Sequence, residues 1–192
     1  MTDNHLGRYV LLKQLKIKGK RLSSDFSKPE ELSGAGGKWK VIDETSDSTV
    51  IQQRDTISCG PACAEMLLKY LGVNDVNQEL IASVTGTPVN VYNLAQAINM
   101  LDYEKSRQWI GGGLVIPGAS DAELLSVLIS TGIWIAELRE LGASLGHLVV
   151  VNGYDINGRL LILDPWEKTR YKMDEETFLQ YWTLRGIYCK KL

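Results

Sequence analysis

The chain has 192 residues, 44% hydrophobic and 23% charged, which is typical of one globular domain with room for an appendage. No apolar run approaches the roughly 18–20 residues of a membrane span, and the N-terminus lacks the continuous apolar core of a standard secretory signal. The net charge of −2 combines nine Lys/Arg and four Asp/Glu in residues 1–40 with twelve and nineteen in residues 41–192. An acidic body without a basic, aromatic-interleaved patch argues against nucleic acid as the main partner.

Residues 1–40 are predicted to be a basic arm, and residues 41–192 are predicted to be the folded domain. Within the arm, residues 26–37 read FSKPEELSGAGG and resemble the leader segments of bacterial peptides exported after cleavage at a double glycine. Gly34 departs from that pattern, where an apolar residue is usual. The alternative is a Gly-rich linker. The resemblance implies a cleavage site between Gly37 and Lys38, and a protein made in the cytoplasm that is exported by a double-glycine or other non-standard route.

Cys59 lies where a loop is predicted to turn into a helix. Gly60 permits a tight turn, and Pro61 suits the first helical position because its missing N–H is not needed there. The apolar face predicted for this helix consists of Ala62, Cys63, Met66, Leu67, Tyr70 and Leu71. A cysteine at a helix N-terminus is favoured as a thiolate by the helix dipole and the unpaired N–H groups, so Cys59 is a candidate nucleophile.

The remaining pattern changes period halfway along the chain. Residues 41–51 are predicted to be a loop or a short edge strand, and the glycines at 111–113 a turn or cleft-lining loop. Helices are predicted over residues 77–84, 90–101 and 120–130, the last with a capping box of Ser120 and Glu123. Strands are predicted over residues 103–110, 133–137, 147–154, 159–164 and 186–190, with a helix over 174–182. Helices followed by antiparallel strands indicate an α+β fold.

Hairpin register predicts that a histidine and a carboxylate lie near each other. If Tyr154 pairs with Arg159 around a four-residue loop, facing residue numbers add to 313, so His147 faces Trp166 and Asp164 is its diagonal neighbour. The odd total puts His147 and Asp164 on the same sheet face, about 7–8 Å apart between backbones. A two-residue turn keeps the face but increases the distance, so the sequence leaves the distance open.

The chemistry of these residues suits acyl transfer to and from a thiol. A carboxylate beside a histidine orients the ring, and a histidine beside a cysteine takes the thiol proton and later returns it to the leaving amine. The side-chain amide of Gln53 and the backbone N–H of Cys59 could stabilise the oxyanion. Neither a cofactor motif nor a metal-ligand spacing is present, and the odd cysteine count fits a reducing compartment, with Cys63 a core residue and Cys189 a strand residue.

These motifs together resemble papain-like cysteine peptidases. The pattern is Gln-x5-Cys-Gly-Pro on a helix, a histidine opening a later strand, and Asp-Pro after the next strand. The likeness covers roughly residues 50–192 and is closest to the bacterial branch that cuts leaders after double glycine. It implies a helical half, with the catalytic cysteine at a helix N-terminus, packed on a C-terminal antiparallel sheet.

The resemblance also implies a role for each site residue. Cys59 is the nucleophile, His147 the general base and acid, Asp164 the orienting residue, and Gln53 the oxyanion donor, with Gln52 a lesser candidate for that role. In the family the peptidase often precedes a membrane transporter, so a double-glycine export transporter is an expected partner. Here no transporter follows, which indicates a free-standing relative.

Several alternatives remain open at the level of sequence. The same residues could deamidate or transamidate a target protein, or the domain could bind leaders without cleaving them. The arm could also dock on the acidic body as a pro-segment, be the protein's own substrate, or mark the protein as an exported effector or toxin. In each case the expected partner is a peptide or protein.

Overall fold

The structure is a computed structural model that describes residues 36–192. The predictions for the basic arm lie outside these residues, apart from its last five, and Gly36 and Gly37 are the described part of the leader-like segment. The separation of an arm at residue 40 stays a prediction. None of the helices in the described range is sufficiently long and apolar to span a bilayer.

Residues 36–192 form five helices and a seven-stranded sheet. The helices are α1 (Cys59–Tyr70), α2 (Gln78–Thr85), α3 (Val91–Leu101), α4 (Asp121–Ser130) and α5 (Glu175–Tyr181). The strands are β1 (Ile42–Ser46), β2 (Arg107–Gly113), β3 (Trp134–Leu138), β4 (His147–Tyr154), β5 (Leu160–Asp164), β6 (Thr169–Met173) and β7 (Trp182–Lys191). The sheet order is β1-β6-β5-β4-β3-β7-β2, and every neighbouring pair is antiparallel. The α+β prediction is confirmed.

The sheet is covered on both faces. Helices α1, α2 and α3 pack with Leu148 and Val150 of β4 in one apolar cluster. Helices α4 and α5 pack with Val149 and Val151 of the same strand in a second cluster. Because side chains alternate along a strand, β4 has apolar residues directed to both layers, which explains its continuous run of apolar residues. The layer formed by α4 and α5 on the second face is additional to the predicted packing of one helical half on the sheet.

The helix ends follow their capping residues. The side chains of Asn77 and Asn90 accept backbone hydrogen bonds at the starts of α2 and α3, and Ser120 forms the predicted capping box with Glu123. Gly86 ends α2 with a φ of 71°, a conformation that favours glycine. One part of the α1 prediction is wrong, since Tyr70 is 64% exposed and Leu68 is fully buried in its place.

The predicted register of β4 and β5 is confirmed on the side of the hairpin nearer His147. Val150 pairs with Leu163 and Val151 with Ile162, so both pairs add to the expected 313. The predicted pairing of Tyr154 with Arg159 is wrong, because Tyr154 pairs with Leu160 after an irregularity beyond Val151. A bulge of this kind adds a residue to one strand and leaves the rest of the register intact.

Two segments differ from the sequence-based prediction. The glycines at 111–113 are not a turn or cleft loop but the end of β2, paired with β7. A Cβ at Gly111 would collide with the backbone oxygen of Val91, so glycine is required for α3 to lie close to this strand. Strand β6 was not predicted, although its buried and exposed side chains alternate. The edge strand β1 is confirmed.

Candidate active site

Cys59 is the first residue of α1 and lies half-buried on the wall of a cleft. The loop before it is held by Asp55, whose side chain accepts a hydrogen bond from the backbone N–H of Ile57 at 2.9 Å and another from Ser58. The first N–H groups of a helix have no partner within the helix, so they are directed towards the space in front of Cys59. The fold therefore places a thiol and unpaired backbone donors at one point.

His147 is the first residue of β4 and is nearly buried. Its Nε2 lies 2.7 Å from Oδ1 of Asp164. Cys59 lines the same cleft and is close enough to the ring to raise the pKa of His147. Trp166 meets the ring edge-on, with 6.2 Å between ring centroids and an interplanar angle of 88°. The structure thus brings Cys59, His147 and Asp164 together, with the imidazole between the thiol and the carboxylate.

Asp164 ends β5 and is completely buried. Its Oδ1 accepts from His147 and from the backbone N–H of Trp166 at 2.9 Å. Its Oδ2 accepts from the Tyr171 hydroxyl at 2.8 Å and from the backbone N–H of Gly36 at 3.1 Å. A buried carboxylate is costly unless it is paired and hydrogen-bonded, and these four partners meet that requirement and fix its orientation.

The surroundings of His147 act on its pKa in opposite directions. Burial lowers the pKa, but the charge and hydrogen bond of Asp164, followed by the hydrogen bond and charge of Cys59, raise it more, to about 10 from 6.5. This pairing stabilises the fold fully below pH 6.5, and the stabilisation is lost as the pH rises through about 10. At neutral pH the ring is therefore positively charged, which favours a negative partner on each side.

Gln53 lies in the loop before Cys59, and its side chain is anchored within that loop. Its backbone N–H donates to the Pro165 carbonyl at 2.8 Å, which ties the Cys59 loop to the turn after Asp164. Its side-chain amide nitrogen donates to the Asp55 carbonyl, and an amide nitrogen has a second N–H to offer. Gln53 is buried, whereas Gln52 is exposed, which favours Gln53 as the side chain available near Cys59.

The predicted cleavage segment lies at the same site. Gly36 is on the cleft wall with Cys59 and His147, and a Cβ at Gly36 would collide with the His147 ring. The backbone N–H of Lys38 donates to Oε1 of Glu140 at 2.9 Å. The contacts of this segment therefore reach Asp164, His147 and Glu140.

The cleft has a volume of about 590 Å³ and a wall formed largely by the connection from β3 to β4. Charged side chains line this wall, and Nε of Arg185 lies 3.3 Å from Oε2 of Glu137. Space of this size accommodates a few residues of an extended peptide.

Cys59, His147 and Asp164 form the candidate triad, and its contacts with Tyr171 and Trp39 were not foreseen from the sequence. Tyr171 donates to Asp164 from β6, and the alternating pattern of residues 169–173 is the signal that could have revealed that strand. Trp39 stacks on His147, with 6.1 Å between ring centroids and 24° between planes. No local pattern links these two residues, because they are more than 100 positions apart.

The other two cysteines lie outside the triad. Cys63 is fully buried and its thiol donates to the Leu148 carbonyl at 3.2 Å, so its prediction as a core residue is confirmed. Burial raises the pKa of the Cys63 thiol well above its ordinary value. Cys189 lies in β7 as predicted. Among residues 36–192, no group of three or more His, Cys, Asp or Glu side chains could hold a metal ion.

Comparison with known proteins places this arrangement in a family. A curated relative, Cysteine protease effector 1 of Escherichia coli O1:K1:H7, is 36% identical over 167 residues, which cover 85% of this chain and 31% of that protein. The chain thus spans about a third of the length of the curated relative it matches.

A crystal structure shows the same fold. The peptidase domain of Streptococcus ComA, a bi-functional ABC transporter involved in a quorum sensing pathway, matches with a TM-score of 0.59 and 23% identity, over 74% of this chain and 97% of that one. The model of the Peptidase_C39 like family matches residues 45–189, which include Cys59, His147 and Asp164. The chain therefore belongs to the Peptidase_C39-like family of cysteine peptidases.

Proposed function

We propose that this chain hydrolyses peptide bonds with Cys59 as nucleophile, His147 as general base and acid, and Asp164 as the orienting carboxylate. The observation that carries the proposal is the position of the His147 ring, whose Nε2 lies 2.7 Å from Oδ1 of Asp164 and which lines the same cleft as Cys59. This geometry leaves one ring nitrogen for the thiol proton, as acid–base catalysis on a thiol requires.

The reaction proceeds in two halves. The Cys59 sulfur attacks the carbonyl carbon while His147 already carries the proton, and His147 then gives that proton to the leaving amine as the C–N bond breaks. Water attacks the resulting thioester while His147 takes its proton, and the carboxylate product leaves with the thiol restored. The negative oxygen of each tetrahedral intermediate is stabilised by the Cys59 backbone N–H and the second side-chain N–H of Gln53.

We propose that the peptide cut follows Gly-Gly, and that residues 36–38 of the chain itself are one such substrate. Gly36 supports this because its Cα lies so close to His147 that a side chain would collide with the ring. The Lys38 nitrogen, which would be the leaving amine, lies 2.9 Å from Glu140. After cleavage between Gly37 and Lys38 that nitrogen becomes an ammonium group, which a carboxylate partner favours.

A synthetic peptide of residues 26–45 tests the specificity. We expect the protein to cut it once, between Gly37 and Lys38, as measured by the masses of the two products. A peptide with Gly36→Ala is expected to be cut at least about tenfold more slowly, the effect of one ill-fitting methyl group. Equal rates for the two peptides would contradict glycine specificity. A gain of about 1 Da on an intact target would instead support deamidation of a glutamine side chain.

The position of Gly36 also favours a pro-segment role for the arm. Because Gly36 lies on the wall of the cleft against His147, the uncut segment would compete with an added substrate. In the same peptide assay, protein that lacks residues 1–37 is expected to hydrolyse the peptide faster than protein that has Cys59 and still retains residues 1–37. An unchanged rate would end the pro-segment interpretation while leaving the peptidase proposal intact.

The pH dependence of peptide hydrolysis tests the role of His147. Because His147 must be protonated to release the amine, and Asp164 and Cys59 outweigh burial to raise its pKa to about 10, activity is expected to fall only as the pH approaches 10. The measurement is kcat/KM between pH 5 and pH 11, a range chosen to extend about one unit beyond the expected limb. An alkaline limb near 6.5, the ordinary value for a histidine, would show that Asp164 does not hold the proton on the ring.

The relative's name supports a proposal about biological context. A protein that matches this chain is called a cysteine protease effector, so we propose that this peptidase domain acts on a target protein after export. The leader-like segment at residues 26–37 is the proposed address for a double-glycine transporter. A domain that only binds leaders is the alternative, and it predicts that Cys59→Ala leaves function intact.

A further inference from the structure

Trp39 lies beside the proposed triad, although it precedes the residues 45–189 that match the family model. It is 4% exposed, and its indole stacks on the His147 ring with 6.1 Å between centroids. On another side its indole meets Tyr181 edge-on, with centroids 5.8 Å apart. Trp39 therefore fills a defined position between the body of the domain and the imidazole.

The indole also reaches Asp164 through one hydroxyl group. Nε1–H of Trp39 donates to the Tyr171 oxygen at 2.9 Å, and the Tyr171 hydroxyl donates to Oδ2 of Asp164 at 2.8 Å. Because an indole N–H can only donate, it occupies an acceptor position of the hydroxyl and leaves the tyrosine proton directed to the carboxylate. Burial raises the pKa of Tyr171 well above its ordinary value, so this donor keeps its proton across the working pH range.

We propose that Trp39 is a positioning residue for the triad: its ring holds the His147 imidazole, and its N–H, acting through Tyr171, holds the Asp164 carboxylate. The inference rests on the proposed roles of His147 and Asp164. Hydrogen bonds in a buried chain strengthen one another, so removing the indole N–H weakens the tyrosine–carboxylate bond as well. The site is thus completed by a residue outside the part of the chain that the family model matches.

A rival explanation is that Trp39 only fills the core. Trp39 belongs to the same apolar cluster as Trp134, which is fully buried and whose Nε1 has no hydrogen-bond partner among the described residues. Trp134→Phe is therefore a matched control, because it removes the same atoms from the same cluster without removing a hydrogen bond. A purely structural role predicts that Trp39→Phe and Trp134→Phe behave alike.

The titration of His147 distinguishes the two roles. The groups that face the ring or its carboxylate are Cys59 from α1, Asp164 from β5, Tyr171 from β6 and, through Asp164 and Tyr171, Glu44 from β1. If Trp39 and Tyr171 keep the carboxylate aligned on Nε2, losing either one lowers the pH at which the ring loses its proton. The chain contains two histidines, so the ring signal of His147 is separable from that of His5 by NMR.

The test compares full-length Trp39→Phe, Tyr171→Phe, their double variant and Trp134→Phe by NMR titration of His147 and by kcat and KM. We expect Trp39→Phe and Tyr171→Phe each to lower the titration midpoint by at least about 0.5 pH unit and kcat by about three- to tenfold, with KM unchanged. In the double variant, Trp39→Phe is expected to add little to Tyr171→Phe, because its N–H acts through the missing hydroxyl. Trp134→Phe is expected to change neither the midpoint nor kcat.

The inference is overturned if Trp39→Phe leaves both the His147 titration midpoint and kcat at the parent values. It is also overturned if Trp134→Phe has an equal effect on them. If Trp39→Phe does not fold, Tyr171→Phe decides, since losing one hydroxyl preserves the ring and its packing. A parent protein that cleaves no peptide contradicts the proposed function, whereas the NMR midpoints still show whether Trp39 holds the ring.

Discussion

The Cys59→Ala protein is expected to hydrolyse a Gly-Gly peptide roughly 10⁴- to 10⁶-fold more slowly than the parent protein, because no other group in the triad can form the covalent intermediate. The fold should be preserved, since Cys59 is half-buried at the edge of the cleft and alanine suits a helix start. The measurement is kcat/KM on the peptide of residues 26–45, accompanied by thermal unfolding.

Cys63→Ala is the matched control for this change. Cys63 lies one turn along the same helix but is buried, and its thiol donates to the Leu148 carbonyl. We expect it to lower stability by about 1–2 kcal/mol through lost packing and one lost hydrogen bond, with kcat/KM nearly unchanged. Substantial activity in Cys59→Ala, or a loss of activity in Cys63→Ala alone, would show that Cys59 is not the nucleophile.

Asp164→Ala is expected to have the largest combined effect on activity and stability. It removes a buried carboxylate that accepts four hydrogen bonds, and it leaves His147, Tyr171 and Gly36 with unpaired groups in the interior. Breaking a buried charged pair of this kind costs about 3–5 kcal/mol, and activity should fall by roughly 10³- to 10⁴-fold as the imidazole loses its orientation. Urea unfolding and kcat/KM measure the two effects.

Asp164→Asn separates charge from shape. It preserves the size of the side chain and part of its hydrogen bonding, so we expect more stability to remain than in Asp164→Ala. It removes the charge that raises the His147 pKa against the effect of burial, so the alkaline limb of activity should move to lower pH. An Asp164→Ala protein as active and as stable as the parent would exclude an orienting role for this residue.

The pairing of His147 with Asp164 could be predicted because it depends on local rules. Strand periodicity located β4 and β5, and a register total of 313 placed the two residues on one face. The observed pairs Val150–Leu163 and Val151–Ile162 have this total. The loop assumed in that prediction was wrong, but the bulge that corrects it lies at the far end of the hairpin from His147. The register near the site was therefore unaffected.

The glycines at 111–113 could not be read correctly from local sequence. Glycine runs usually indicate turns, and here they form a strand because α3 must pack closely on it. That requirement involves Val91, twenty positions earlier, and it appears only once the helix is placed on the sheet.

Although the alternation of residues 169–173 could have revealed β6, the contacts of Gly36 and Tyr171 with Asp164, and of Trp39 with His147, could not be predicted. Gly36 and Asp164 are 128 positions apart, and Trp39 and Tyr171 are 132 apart. Contacts between an N-terminal segment and a late strand leave no periodic signal in either segment, so they are decided by tertiary packing alone. The sequence could identify candidate reacting groups, but not the distant residues that contact them.

We propose Cys59 as the nucleophile of a peptidase that cuts after Gly37. The most direct test of this claim is the intact mass of the parent protein beside Cys59→Ala, each treated with a thiol-reactive peptidase inhibitor. We predict that the inhibitor labels the parent once, at Cys59, and that only the parent loses residues 1–37. Equal labelling of the two proteins, with Cys59 unmodified in the parent, would contradict the claim.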